Sequence, residues 1–133
     1  MKDFKQLVVW QKAHGLVLEV YRESQRFPQH ERFGLTAQLR RSVASVPANL
    51  AEGCGRGSRA DYARFVHIAA GSAVESEYHL LLARDLGYLP AEAHAPLDAQ
   101  LQEIKRMLSG LLTHLTRSQP PPPGKTRTAL PND

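Results

Sequence analysis

The sequence predicts an all-α fold, an up-down-up-down antiparallel four-helix bundle, on three observations. Apolar residues recur at i, i+3, i+4 and i+7 spacing over long blocks. Proline and glycine divide the 133 residues into four such blocks with short joints. The last block carries an unbroken heptad seam, the pattern of antiparallel bundles and coiled coils.

The first block runs from about Leu7 to Gln25: Val9, Trp10, Ala13, Leu16, Val17, Val20 and Tyr21 form a wide apolar stripe, and Phe27-Pro28 stops it. Val8 and Leu18 lie off that stripe. They are apolar surface beyond what one bundle core absorbs, and they predict self-association as a closed ring, with the first and fourth helices facing neighbouring subunits. The second block, about Glu31 to Gly53, sets Leu35, Leu39, Val43, Val46 and Leu50 at core spacing and stops at Gly53, Gly55 and Gly57. The third begins after Ser58, an N-cap whose hydroxyl takes up a free backbone N–H, with Asp61 at the acidic capping-box position. Its expected apolar face is Phe65, Ile68, Leu82 and Leu86, and Gly87 is its C-terminal left-handed residue.

The fourth block alternates steps of four and three through Leu97, Leu101, Ile104, Leu108, Leu111 and Leu115. Each contributes roughly 1.5 to 3 kcal/mol of transfer free energy once buried. Pro90 and Pro96 precede or enter its first turns, where a missing N–H costs little. The bundle is expected over residues 1–118. From 119 to 133, Pro120-Pro121-Pro122-Pro123-Gly124 followed by Lys125 and Arg127 predicts a polyproline-like and then disordered tail.

The second block carries the most informative conflict. Pro47 sits inside it, removing a hydrogen bond and crowding the Val43 carbonyl at a cost of roughly 3 kcal/mol, which predicts tertiary compensation. Gln38, Ser42, Ser45, Asn49, Glu52 and Arg56 recur at steps of four, three, four, three and four, so they share one side of the helix. A row of small polar groups allows close approach of a neighbour.

Charge is concentrated. Lys plus Arg number 17 against 13 Asp plus Glu, a net +4 with pI near 9.5. Between Arg32 and Arg64 lie six arginines (Arg32, Arg40, Arg41, Arg56, Arg59, Arg64) and two acids (Glu52, Asp61), so that window alone carries 6 − 2 = +4 and the rest is neutral. A surplus of this size favours anionic partners mildly. A single cysteine, Cys54, excludes an intramolecular disulfide framework and fits a reducing compartment. No leader pattern and no apolar run of membrane-spanning length is found, so the cytoplasm is the expected location and no membrane partner is expected.

Chemistry is sparse. A di-metal carboxylate bundle needs Glu-x-x-His pairs from two helices; here Glu75 and His79 are four apart and no second helix supplies a match. Ser72, Glu75 and His79 read instead as a buried polar network satisfied by Arg40 or Arg41. Cys54 lacks a Cys/His/Asp constellation and reads as a packed thiol at a helix terminus. Its glycine-rich surroundings follow no strand and lack Gly-Lys-Ser/Thr, which argues against a phosphate loop. No catalytic residue, metal site or cofactor is expected.

The stretches Phe4, Leu7, Val9-Trp10-Gln11-Lys12-Ala13, Tyr21, Phe27-Pro28, Glu31, Gly34-Leu35, Gln38-Leu39-Arg40-Arg41, Ser45-Val46-Pro47, Asn49 and Ala51-Glu52-Gly53 resemble the bacterial four-helix bundle proteins of intervening sequences in 23S ribosomal RNA genes. Arg64-Phe65, Ala69, Gly71-Ser72, Glu75 and Leu86-Gly87-Tyr88-Leu89 extend the resemblance to residues 4 to 118. Members are similar in fold to the accessory variability determinant of diversity-generating retroelements, a strongly basic homopentameric ring that binds nucleic acid and a reverse transcriptase. The resemblance therefore implies a homo-oligomer of five subunits, and the modest charge here departs from the accessory protein.

Two functional readings follow. Arg56, Arg59 and Arg64, clustered between the second and third helices, either neutralise phosphates of RNA or DNA in an accessory factor for an enzyme such as a reverse transcriptase, or serve structure. The alternative is a structural module that recruits another protein through the ring surface or through the polar seam of Gln38, Arg40, Arg41, Ser45, Asn49, Glu52, Ser72 and Glu75. An enzyme is the least supported class, because no acid, base and nucleophile converge.

Overall fold

In the computed structural model, which describes residues 3–117, each apolar block becomes one helix: α1 (Val8–Ser24), α2 (Leu35–Cys54), α3 (Arg59–Asp85) and α4 (Ala91–Thr116). One-turn 3-10 helices at Phe4–Gln6 and Gln29–Glu31 precede α1 and α2, and no strand occurs among the described residues. The tail expected over 119–133 lies outside them. Among the described residues no helix is long and apolar enough to cross a membrane.

Local signals set several boundaries. Ser58 Oγ accepts the Asp61 N–H at 3.1 Å and caps α3. Gly87 has φ +81°, the left-handed conformation that ends a helix without strain only at glycine. The second helix starts later than the sequence suggests, at Leu35 rather than Glu31. The cause is the Glu31 side chain, whose Oε1 accepts the Leu35 N–H at 3.1 Å while Oε2 accepts the Tyr88 hydroxyl at 2.9 Å. Those two bonds hold the Glu31 carboxyl below the usual carboxylate range. Its contribution to stability is thus present at neutral pH and disappears as pH falls through that lowered value.

α2 packs on α1 and α3, and α4 packs on α3 and α1. Residue pairs across the contacts run in opposite directions. Ser45 meets Ser72 and Cys54 meets Tyr62 across α2 and α3; Glu77 meets Lys105 and Arg59 meets His114 across α3 and α4; Lys12 meets Glu103 and Glu19 meets Gln100 across α1 and α4. The shared core contains Leu16, Val20, Leu39, Val43, Leu50, Leu101, Ile104 and Leu108. Pro47 lies in an uninterrupted α2 with its ring buried, which offsets part of the lost hydrogen bond. Gly53 sets the approach of α3: a Cβ there would stand 2.9 Å from Tyr62 Cδ1 and 3.1 Å from Phe65 Cβ.

α3 is oriented differently from its sequence expectation. Its inward face is Ala63, Val66, Ala69, Ala73, Ser76, Leu80 and Ala83, while Phe65 and Leu82 are half-buried and Ile68 and Leu86 are exposed. Small residues face inward because two neighbours, α2 and α4, crowd this helix, and alanine permits short interhelical distances.

Candidate functional site

Three surface or interface features were candidates. The polar seam is the first. Ser42, Ser45 and Asn49 of α2 lie inward or half-buried, whereas Gln38 and Glu52 are exposed, because their long side chains reach past the interface to water. Across the contact, Ser45 Oγ and Ser72 Oγ are 2.8 Å apart, Ser76 Oγ lies 2.9 Å from Ser42 Oγ and donates to the Ser72 carbonyl at 2.8 Å, and Ser42 Oγ is 3.2 Å from His79 Nδ1. Glu75 is exposed, and its Oε2 lies 3.8 Å from His79 Nε2.

The arginines expected to satisfy this network do not. Arg40 Nε donates to Ser24 Oγ at 2.8 Å and its Nη2 to the Tyr21 carbonyl at 3.2 Å, tying α2 to α1; Arg41 is exposed. Two positions before Ser42 is about 200° around the helix, so Arg40 points away from α3. Ser42 and Ser45 take its place, a pairing that the row of small polar residues already announced.

Asn49 Nδ2 donates to the Ser45 carbonyl at 2.8 Å and to Ser45 Oγ at 2.9 Å, both within its own helix. Replacing Asn49 by alanine leaves Ser45 Oγ still paired with Ser72, so we expect a loss near 1 kcal/mol, the net worth of an ordinary hydrogen bond. A lower urea midpoint with unchanged slope checks it.

The second feature is the arginine loop. Arg56 and Arg64 lie on the Phe65 ring, at 4.7 and 4.5 Å from its centroid, and each also has a carboxylate, Glu52 at 3.7 Å and Asp61 at 3.3 Å. Arg59 donates to the His114 carbonyl near the end of α4. All three stay at one end of the helices and exposed, yet each has an internal partner.

Cys54 is buried there, 3.4 Å from the Tyr62 hydroxyl, whose own acidity is weakened chiefly by burial and then by that contact. Among the described residues no three His, Cys, Asp or Glu side chains gather as metal ligands.

The third feature was missed in the sequence: the outer face of α3. Ile68 (41% exposed), Val74 (54%), Tyr78 (57%) and Leu81 (38%) lie opposite Ala69 and Ala73, which are fully buried. With Gly71 between them, these positions follow steps of three, three, four and three. The signal was available: large apolar residues on more than one side of a helix exceed what one core takes up and mark a surface able to meet something outside its own chain. Val8 and Leu18 of α1 are likewise exposed.

A family model described as 23S rRNA-intervening sequence protein matches residues 5–110. A crystal structure of a protein of unknown function from the S23 ribosomal protein family of Bacteroides thetaiotaomicron is similar, with TM-score 0.71 and 26% identity, covering 78% of this chain and 97% of that one. No curated protein matches.

Proposed function

The chain belongs to the 23S rRNA-intervening sequence protein family, and from that premise we propose that it acts without catalysis, as an up-down-up-down bundle that assembles into a homo-oligomer and presents repeated surfaces to a partner. The observation that carries this reading is the division of α3: four alanines with Val66 and Leu80 inside, and Ile68, Val74, Tyr78 and Leu81 outside. Four large apolar side chains held in water along one helix face are better accounted for by a contact between copies than by solvent. Five copies is the number expected from the resemblance.

Light scattering on the purified full-length chain tests the assembly. A single species well above the 14.8 kDa chain mass is expected. A monodisperse monomer at micromolar concentration overturns the reading. Deleting residues 119–133 is expected to leave the oligomer unchanged, since that segment has no periodic apolar residues.

The exposed cluster of Arg56, Arg59 and Arg64 supports a second reading, in which the oligomer binds RNA or DNA as an accessory to a nucleic-acid enzyme such as a reverse transcriptase. The Glu52 and Asp61 pairs do not oppose it strongly, because exposed ion pairs contribute only about 0 to 1 kcal/mol and yield to a phosphate. Repetition in an oligomer multiplies two or three weak contacts into useful affinity. Binding would be sequence-tolerant, with a logarithmic salt slope of about −0.7 to −0.9 per phosphate. Replacing the three arginines by glutamine is expected to flatten that slope while the assembly persists. Failure of the wild type to bind any RNA or DNA at low salt leaves the protein-recruiting module as the account.

A further inference from the structure

We infer that the cleft between the C-terminal end of α1 and the first turn of α2 is a binding site for a phosphate group, held by Arg32, Arg40 and Thr36. The cleft has a volume of about 220 Å3 and is walled by Ser24, Phe27, Pro28, Arg32, Thr36 and Arg40. It sits at the opposite end of α2 from Arg56, so it is independent of the function proposed above.

Thr36 supplies the first observation. The residue is 7% exposed, and its Oγ1 is buried with no hydrogen-bond partner among the described residues. Buried hydroxyls are as a rule paired, so one left alone at a cleft wall points to a partner that the chain does not supply. Arg40 supplies the second. Its two protein acceptors, Ser24 Oγ and the Tyr21 carbonyl, are neutral, and its guanidinium lies 4.7 Å from the Tyr21 ring centroid. Arginine has five N–H donors, so three remain. The half-buried charge has no carboxylate within 4.0 Å among the described residues, and the same holds for exposed Arg32, whose guanidinium lies 5.4 Å from the Phe33 ring centroid.

Two arginines and a threonine with an orphan hydroxyl line a cleft whose walls include no acid. The Tyr21 carbonyl, at this end of α1, accepts from both Arg40 Nη2 and Ser24 Oγ, and the arginine offsets the negative end of the helix there. The volume lies below the roughly 300 Å3 at which sites for organic ligands begin, which favours one compact oxyanion. Forked donors from two arginines match a phosphate, with its several acceptor oxygens and up to two charges.

Calorimetric titration of the full chain with inorganic phosphate, at ionic strength held constant with chloride, tests this. Saturable binding of one phosphate per chain is expected. Arg32→Gln leaves the α1–α2 tie untouched and is expected to weaken binding about tenfold to a hundredfold, the loss that accompanies one charge-assisted hydrogen bond. Thr36→Val is expected to weaken it about tenfold, while melting no lower than the wild type in phosphate-free buffer. A 5′-phosphorylated oligoribonucleotide and its unphosphorylated counterpart identify the source: preference for the phosphorylated form, lost in Arg32→Gln, assigns the site to a nucleic-acid end, and no preference assigns it to free phosphate. Absence of saturation at millimolar phosphate overturns the site. So does a Thr36→Val protein that melts higher yet binds phosphate as the wild type does, because the hydroxyl then met only water.

Discussion

Replacing Val74 and Tyr78 together by glutamate is expected to convert the proposed oligomer into folded monomers of 14.8 kDa. In the isolated chain both side chains are more than half exposed, so the charges meet water and each substitution changes monomer stability by no more than about 0.5 kcal/mol. At a contact between copies, the same carboxylates lose their hydration without a cationic partner. An unpaired buried charge costs several kcal/mol, and symmetry repeats that cost at every interface. Sedimentation velocity reads the mass, and circular dichroism confirms that the helices remain. A folded variant that keeps its oligomeric mass shows that the outer face of α3 is not the contact and transfers attention to Val8 and Leu18.

The second large effect is expected one position earlier on the same helix. Ala73 is fully buried on the inner face, and a leucine there must push apart elements that alanine brought together. Overpacking of this kind costs about 1 to 3 kcal/mol. Val74→Leu, on the outer face, is expected to stay within about 0.5 kcal/mol of the wild-type monomer. Urea unfolding of the two variants, at a concentration low enough to keep the chain monomeric, separates them. Equal midpoints would mean that the inner face of α3 has room to spare.

Placement of the candidate sites shows where residue spacing was enough. The row of Ser42, Ser45 and Asn49 marked the face that meets α3, since small polar residues at steps of three and four make sense only beside a close neighbour. The grouping of Arg56, Arg59 and Arg64 at one loop was equally plain. The partners were less so: Phe65 takes both the Arg56 and Arg64 guanidinium groups where the chain turns into α3, and the His114 carbonyl reaches Arg59 only because α4 returns to that end. Arg40 shows the same limit, since its acceptors Ser24 and Tyr21 lie on another helix.

The sequence by itself determined the four helices, because their signals are local. Leucines and isoleucine from Leu97 to Leu115 repeat at helical period, Ser58 supplies its own cap, and Gly87 supplies the left-handed residue that ends α3. Only the tertiary structure decided which side of α3 is the inside. Apolar residues occupy almost every direction around that helix, so its periodicity points nowhere. Volume distinguishes the two sides: the buried face carries Ala63, Ala69, Ala73 and Ala83 around Val66 and Leu80 and fits closely between α2 and α4, while Ile68, Val74 and Tyr78 stay outside.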